Sequence, residues 1–317
     1  MLFDALLGNQ RIKDQLHQSL RRGHPSHFYV ISGPAGSGKR TLARLLAAAL
    51  MCESSEPPCG RCEGCRKVLG GIHPDYITVD DPDKKTVPVD LIRQARADIY
   101  IQPNEGERKI YLFPRGQDMG LPSQNALLKI LEEPPSYGVF LLITDNPERL
   151  LPTVRSRCTE LPLQPLPEPV LRRELEKRHP QSLPDDITTA MMRSGGHLGQ
   201  ALKLLEGSDA WSQQTLDFVE AFRTRDTMLL VRTLVPLEKW KRDQLIPLLQ
   251  QWTQLLQESL TCRSTGKALS EQARRLASAR SSQDLLTAIR QLQKCTDYAQ
   301  SNVSCAAICG YLQWVLR

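Results

Sequence analysis

The stretch that decides the fold is Phe28-Tyr29-Val30-Ile31-Ser32-Gly33-Pro34-Ala35-Gly36-Ser37-Gly38-Lys39-Arg40-Thr41. Its first four residues predict a strand, the glycines a tight turn, and the residues after them an apolar-faced helix over 41–51. Glycines let backbone N–H groups curl around phosphate oxygens, while Lys39 reaches the outer phosphates. The predicted phosphate contacts are Gly33, Gly36, Gly38, Lys39 and Thr41. A glycine-rich turn without a ligand is the alternative.

The residues that would hold Mg²⁺ beside such a loop are missing. Mg²⁺ needs a hydroxyl directly after the lysine and an acidic residue at the end of the third strand. Arg40 occupies the first position, and Pro114-Arg115 follows the apolar strand Ile110–Phe113. The hydroxyl of Thr41 lies one helical position onward, about 100° away from the required direction. We therefore expect weak or metal-independent nucleotide binding, or none.

Four cysteines cluster within residues 52–65, spaced as Cys52-x6-Cys59-x2-Cys62-x2-Cys65. Four closely spaced thiolates suit tetrahedral Zn²⁺ in a closed structural site. Free buried thiols are the alternative. The other five cysteines are scattered, and for them packing is the default interpretation.

Apolar strands alternate with helical stretches through residue 160, which predicts a parallel α/β sheet covered on both faces. We expect strands at 28–31, 76–79, 109–113 and 139–144, and helices at 41–51, 89–99 and 123–133. Three prolines between Leu161 and Pro167 predict an extended linker. The remainder is helical in pattern. The predicted domains are residues 1–165, 166–207 and 208–317.

Composition narrows the class of protein. The 317 residues are enough for two or three domains, and 40% apolar content is ordinary for a globular chain. A net charge of +6 falls well short of a DNA-coating protein, and 5% aromatic residues argue against a single-strand stacking platform. The sequence contains neither a signal-peptide pattern nor an apolar run near the ~20 residues of a membrane span. We therefore expect a cytoplasmic protein.

Several stretches between residues 3 and 205 resemble the AAA+ family of bacterial DNA polymerase III clamp-loader subunits, and most of all its delta-prime branch. Leu7-Gly8-Asn9-Gln10 and His27-Phe28 precede the loop as in that family, and the cysteine module is inserted after the first helix. The most specific stretches are Asn125-Ala126-Leu127-Leu128-Lys129-Ile130-Leu131-Glu132-Glu133-Pro134-Pro135 and Thr144-Asp145-Asn146-Pro147-Glu148-Arg149-Leu150-Leu151-Pro152-Thr153-Val154-Arg155-Ser156-Arg157-Cys158.

The resemblance implies a role for Ser156-Arg157-Cys158. In the family this motif carries an arginine finger, which reaches the γ-phosphate in the ATP site of the neighbouring subunit. An arginine that only stabilises its own fold is the alternative. Thr144 matches a sensor position, whereas the basic residue expected in a later sensor falls on Gly199. Lost ATPase elements beside a retained finger imply a stator without intrinsic ATPase activity.

The resemblance further implies an architecture and partners. The α/β domain with its zinc module would be followed by a small helical lid and a C-terminal helical collar. The chain would join motor subunits and a clamp-opening subunit in a hetero-pentamer that loads the sliding clamp onto primed DNA. It would thus be a component of the DNA polymerase III holoenzyme, a nucleotidyltransferase assembly. The alternatives are an active gamma/tau-like ATPase and a non-replicative scaffold of the same fold.

Two apolar stripes in the C-terminal third predict either collar interfaces or an ordinary intramolecular helical core. The first stripe comprises Leu245, Leu248, Leu249, Trp252, Leu255 and Leu256, and the second comprises Val303, Ala307, Tyr311, Leu312 and Val315.

Overall fold

The computed structural model describes residues 2–206, 211–266, 270–301 and 303–316. The chain forms two compact units, Met1–Leu205 and Glu206–Arg317. The boundary that we predicted at Gly207 and Ser208 lies outside the described residues. The limits of the three predicted domains therefore stay a prediction.

The first unit contains one five-stranded sheet in the order β2-β3-β4-β1-β5, with every pair of neighbours parallel. This confirms the predicted parallel sheet. Its strands are β1 (Phe28–Ser32), β2 (Tyr76–Thr78), β3 (Lys109–Phe113), β4 (Gly138–Thr144) and β5 (Thr159–Pro162). The fifth strand was missed, because its last two residues fall in the stretch that we predicted as a linker. Pro162 is tolerated there because β5 is an edge strand, where a missing N–H interrupts no ladder.

Both faces of the sheet are covered, as predicted. Tyr29 and Ile31 belong to one buried cluster, whereas Phe28 and Val30 belong to another. Every residue of the three central strands is buried. Strands buried on both faces lose the alternation of apolar and polar residues, which explains their continuous apolar sequence.

The described part of the first unit has nine α-helices. They are α1 (Gln10–Arg21), α2 (Lys39–Leu50), α3 (Glu63–Leu69), α4 (Val89–Asp98), α5 (Leu121–Glu132), α6 (Pro152–Arg155), α7 (Glu168–Arg178), α8 (Pro184–Arg193) and α9 (Leu198–Leu205). Helix α2 begins two residues earlier than predicted, because Gly38 occupies its N-cap with φ 96°. The last three helices share a small core of their own around Leu171, Leu175 and Ile187.

The described part of the second unit is helical, as predicted. Its α-helices are α10 (Gln213–Thr224), α11 (Thr227–Leu234), α12 (Arg242–Thr265), α13 (Glu271–Ala279), α14 (Ser282–Gln300) and α15 (Cys305–Val315). All six residues of the first apolar stripe are buried within this unit's own core. The indole of Trp252 stacks on Phe218 with ring centroids 4.1 Å apart. The intramolecular interpretation is therefore correct for this stripe.

The second stripe is confirmed in part. The buried face of α15 comprises Cys305, Ile308, Cys309 and Leu312, and Val303, Tyr311 and Val315 are partly buried against the same core. Ala307 is exposed, and Tyr311 is half-buried.

Among the helices of the described ranges, none combines the length and apolar character that crossing a bilayer requires.

A buried carboxylate fixes the loop between α4 and β3. Asp75 is fully buried, and its Oδ1 accepts bonds from the backbone N–H of Asn104 at 2.7 Å and from its side-chain amide at 2.9 Å. Its Oδ2 accepts from the N–H groups of Glu105 and Gly106 at 2.9 and 3.3 Å. Burial by itself raises the pKa of Asp75, but these donors outweigh it and the pKa lies below its usual value.

We predict that Asp75→Asn destabilises the first unit by about 1–3 kcal/mol at pH 7, because an amide cannot accept all four bonds. Urea unfolding measures this difference. Since the folded pKa is depressed, the carboxylate stabilises the fold above its unfolded pKa of about 3.9 and loses this effect as pH falls. The difference between wild type and variant should shrink below about pH 4. The exposed Asp83 provides the control variant Asp83→Asn. A difference independent of pH would contradict the role of the charge.

Candidate functional site

The glycine turn lies between the end of β1 and the start of α2, beside a cavity of about 720 Å³. Gly36 and Gly38 have φ 74° and 96°, values that strain any residue with a side chain. The cavity has the volume of a small-molecule site. Its apolar lining includes Ala5, Leu6, Leu7, Leu198 and Leu202, and its basic lining includes Lys39, Arg40, Arg115, Arg178, His197 and Lys203. The structure therefore brings Gly36, Gly38, Lys39 and Thr41 to one cleft, whereas the predicted contact Gly33 is not among the described residues that line it.

Lys39 is buried and bonded within its own chain. Its Nζ donates to the carbonyl oxygens of Gly33 at 2.6 Å and Pro34 at 2.7 Å, and lies 2.7 Å from Oδ1 of Asp145. Sequence reasoning missed Asp145. This residue directly follows β4, and β1 pairs with β4 so that Ser32 lies opposite Thr144. The carboxyl ends of the two strands are thus side by side, which places Asp145 next to the loop.

The end of β3 holds a cation in place of the acid that Mg²⁺ would need. The guanidinium of Arg115 donates twice to Oδ1 of Asp80, at 2.7 and 2.8 Å, and also to the carbonyl oxygens of Asp81 and Lys84. The hydrogen bonds to Asp80 are the main reason why the pKa of Arg115 is raised. Asp118 lies 3.9 Å from Arg115, and burial raises the pKa of its carboxyl. No described residue of this strand end presents a carboxylate directly after β3.

The turn contacts the beginning of α9 through backbone atoms. The N–H of Gly199 donates to the carbonyl oxygen of Gly36 at 3.0 Å. A Cβ atom on Gly36 would lie 2.5 Å from the nitrogen of Gln200, so only glycine permits this approach. Gly199 is the position where the resemblance expected a basic sensor residue. His197 is buried next to it, and burial, followed by the charge of Lys39, lowers its pKa.

The four predicted metal ligands come together. The Sγ atoms of Cys52, Cys59, Cys62 and Cys65 all lie within 4.8 Å of one another. Backbone N–H groups of Arg61 and Cys62 lower the pKa of the Cys59 thiol to about 6, whereas burial raises the pKa of the Cys52 and Cys65 thiols. Four sulfurs at 2.3 Å from a tetrahedral ion are separated by roughly 3.8 Å. The cluster therefore fits a metal ion, and Cys52 belongs to it.

Arg157 lies on the surface, just after α6, and its side chain is 42% exposed. It donates to the carbonyl oxygen of Thr153 at 3.1 Å and lies 3.7 Å from a carboxylate oxygen of Glu132. Ser156 is exposed, and burial raises the pKa of Cys158 to about 12. Arg157 is not among the described residues that line the cleft. The structure thus separates the phosphate loop from the predicted finger.

The segment that leads to Arg157 is attached to α5 by Gln124, which sequence reasoning also missed. The buried amide of Gln124 donates to the carbonyl oxygens of Met119 and Arg149 at 3.0 and 3.1 Å, and accepts from the N–H of Leu151 at 2.7 Å. One side chain therefore satisfies three backbone groups, of which two, at Arg149 and Leu151, lie immediately before α6. An apolar periodicity analysis cannot detect such a residue, because a polar side chain in a helix is normally exposed.

Known proteins are similar to this chain over the region that contains the glycine turn and the cysteine cluster. Residues 8–167 match the family model described as DNA polymerase III, delta subunit. The chain is 38% identical to DNA polymerase III subunit delta' of Pseudomonas aeruginosa over 173 residues, which are 54% of this chain and 52% of the relative. It is 34% identical to the Escherichia coli delta' subunit over 206 residues, 64% of this chain and 61% of the relative.

Another group of relatives carries a different name. DNA polymerase III subunit tau of Salmonella typhimurium is 33% identical over 210 residues, which are 64% of this chain and 32% of the relative. The matched regions span about half the length of the first curated relatives. Together, the loop, the cysteine cluster and these matches show that the chain belongs to the DNA polymerase III clamp-loader family and that it is similar to the delta-prime members.

Proposed function

We propose that this chain is a non-hydrolysing, delta-prime-like AAA+ subunit of the bacterial DNA polymerase III clamp loader. It would supply Arg157 in trans to the ATP site of an adjacent motor subunit and help to load the sliding clamp onto primed DNA. The observation that carries the proposal is a contrast between two cations. Lys39 is buried and bonded within its own chain, whereas Arg157 is presented at the surface.

The residues of the cleft support the absence of hydrolysis. Hydrolysis requires Mg²⁺ bridging the phosphates and a group that orients the attacking water. Arg40 and Arg115 occupy positions where ligands of the metal would stand, and Arg115 is bound to Asp80. Neither side chain can coordinate a cation, because a guanidinium has no acceptor atom.

The surface position of Arg157 supports a role in trans. A guanidinium is a permanent cation with a planar set of donors, so it stabilises the charge that develops on a transferring phosphoryl group. Its ion pair with Glu132 is exposed, and such pairs contribute only about 0–1 kcal/mol. A neighbouring phosphate can therefore replace Glu132 at little cost.

The proposal includes partners and an architecture. The α/β domain would be followed by a lid at residues 166–207 and a collar at 208–317, which would hold the chain in a cytoplasmic hetero-pentamer with motor and clamp-opening subunits. Its metal would be Zn²⁺ held by Cys52, Cys59, Cys62 and Cys65. A bound ion would connect Cys52 and Cys59, which precede α3, with Cys62 and Cys65 at the start of this helix. No coordination position would stay open for catalysis.

An active gamma/tau-like ATPase is the second candidate, because the cleft retains a cavity of about 720 Å³ beside an intact glycine turn. ATP turnover by the isolated chain, abolished by Lys39→Ala, would establish it and overturn the stator proposal. A non-replicative scaffold is excluded if the chain assembles with motor subunits and supports clamp loading.

We predict that Arg157→Ala slows ATP hydrolysis at the one adjoining motor site by about 10³-fold, because arginine fingers contribute at least that factor. Single-turnover hydrolysis and clamp loading by the reconstituted complex provide the measurement. Arg157→Lys should recover only part of the rate, since it keeps the charge and loses the planar donor set. Arg155→Ala is the matched control, because Arg155 pairs with Glu148 and Glu160 of its own chain. Unchanged hydrolysis with Arg157→Ala would refute the trans role.

We also predict about one zinc ion per chain in protein purified without chelator, measured by elemental analysis. Cys62→Ser should lower both the zinc content and Tm, because a structural site contributes directly to folding. Cys158→Ser serves as the control, since Cys158 lies outside the cluster and should leave the zinc content unchanged. Metal-free wild-type protein would contradict this prediction.

A further inference from the structure

The ammonium group of Lys39 has no donor left for a ligand. An ammonium carries three N–H donors, and here three acceptors lie within 2.7 Å of Nζ, namely the carbonyl oxygens of Gly33 and Pro34 and Oδ1 of Asp145. The Lys39 side chain is only 8% exposed. Of the three acceptors, only the Asp145 carboxylate carries a charge, so it takes the place that a phosphate oxygen would occupy.

Asp145 is held in this position by its neighbours. Its N–H donates to Oε1 of Gln117 at 3.4 Å, and the hydroxyl of Thr144 exchanges bonds with the backbone of Asn146, at 3.0 and 3.2 Å. These bonds fix the chain on both sides of Asp145 directly after β4. The backbone turn after β4 therefore places the Asp145 carboxylate beside Lys39.

The rest of the cleft still suits a polyanion with an apolar group. Among the described residues that line it, Asp145 is the one acid, whereas Arg40, Arg178 and Lys203 are basic. The lining of the cleft also includes the apolar residues Leu6 and Leu198. A nucleoside polyphosphate has both properties, and the cavity of about 720 Å³ is large enough for it.

We propose that Asp145 is a built-in competitor for the phosphates of a nucleoside polyphosphate at this loop. The Asp145 carboxylate occupies Lys39, and the ligand binds only when this carboxylate is displaced. Binding does not need Mg²⁺, because Arg40 and Arg115 stand where the hydroxyl and the acid that hold the ion would be. The inference rests on the proposed function in one respect, that this loop is not a site of hydrolysis.

The test is calorimetric titration of the full chain with ADP, in EDTA and in Mg²⁺. Asp145→Asn keeps the shape of the side chain and removes its charge, and because the Asp145 side chain is 50% exposed we expect Kd for ADP to fall by about three- to fivefold relative to wild type. The Kd should be the same in EDTA and in Mg²⁺. Thermal unfolding verifies that the variant is folded, and Asp145→Ser replaces it if it is not.

Two further variants separate charge from position. Glu148→Gln removes the same charge three residues onward, where Glu148 pairs with Arg155, and should leave Kd for ADP at the wild-type value. Lys39→Met added to Asp145→Asn should abolish ADP binding.

Three results would overturn the inference. They are equal affinity of wild type and Asp145→Asn, absence of ADP binding by both, and binding that depends on Mg²⁺. Failure of the proposed function would be seen in a different measurement. Asp145→Asn retains Arg157, so hydrolysis by a neighbouring motor subunit tests the finger, whereas the ADP titration of the isolated chain tests only the competitor.

Discussion

The ammonium of Lys39 and the carboxylate of Asp145, 2.7 Å apart, determine what the cleft of this chain can do. A lysine in a glycine turn at a helix N-terminus is normally available to an anion. The backbone N–H groups around it have no acceptor within the helix and also attract negative charge. Here the anion belongs to the protein. The positive charge of the turn is neutralised within the chain, and the fold keeps the geometry of a phosphate site without requiring a phosphate.

Parallel strand order explains why this contact forms. In a parallel sheet all carboxyl ends lie at one edge, and ligands bind there. The same edge gathers the glycine turn after β1, Arg115 after β3 and Asp145 after β4. Arg115 cannot serve as a metal ligand, and Asp145 supplies an internal anion to Lys39. Both residues line the same cleft.

The sequence was sufficient for features that depend on local pattern. The glycine turn, the four predicted strands and the cysteine cluster all rely on spacing, and the structure confirms them. Asp145 and Gln124 could not be predicted, because their roles depend on which strands and helices are neighbours. β5 was missed since Pro162 belongs to the proline-rich stretch that favours a linker, and Ala307 of the second stripe is exposed because a spacing of four residues drifts across a helix face of period 3.6. The role of Arg157 still rests on the family resemblance.

Helix α2 connects the two chemical features of the first unit. Its N-terminus carries the phosphate loop, and its C-terminus meets the cysteine module so closely that a Cβ on Gly64 would lie 2.3 Å from the carbonyl oxygen of Met51. A helix of 12 residues is about 18 Å long, so a metal ion at one end cannot touch a ligand at the other. The module can influence the loop only by fixing the position of α2. Nine of the twelve residues of α2 are buried, so the sheet and the N-terminal segment already hold this helix. The cysteine module therefore contacts the end of a helix whose position the core already sets.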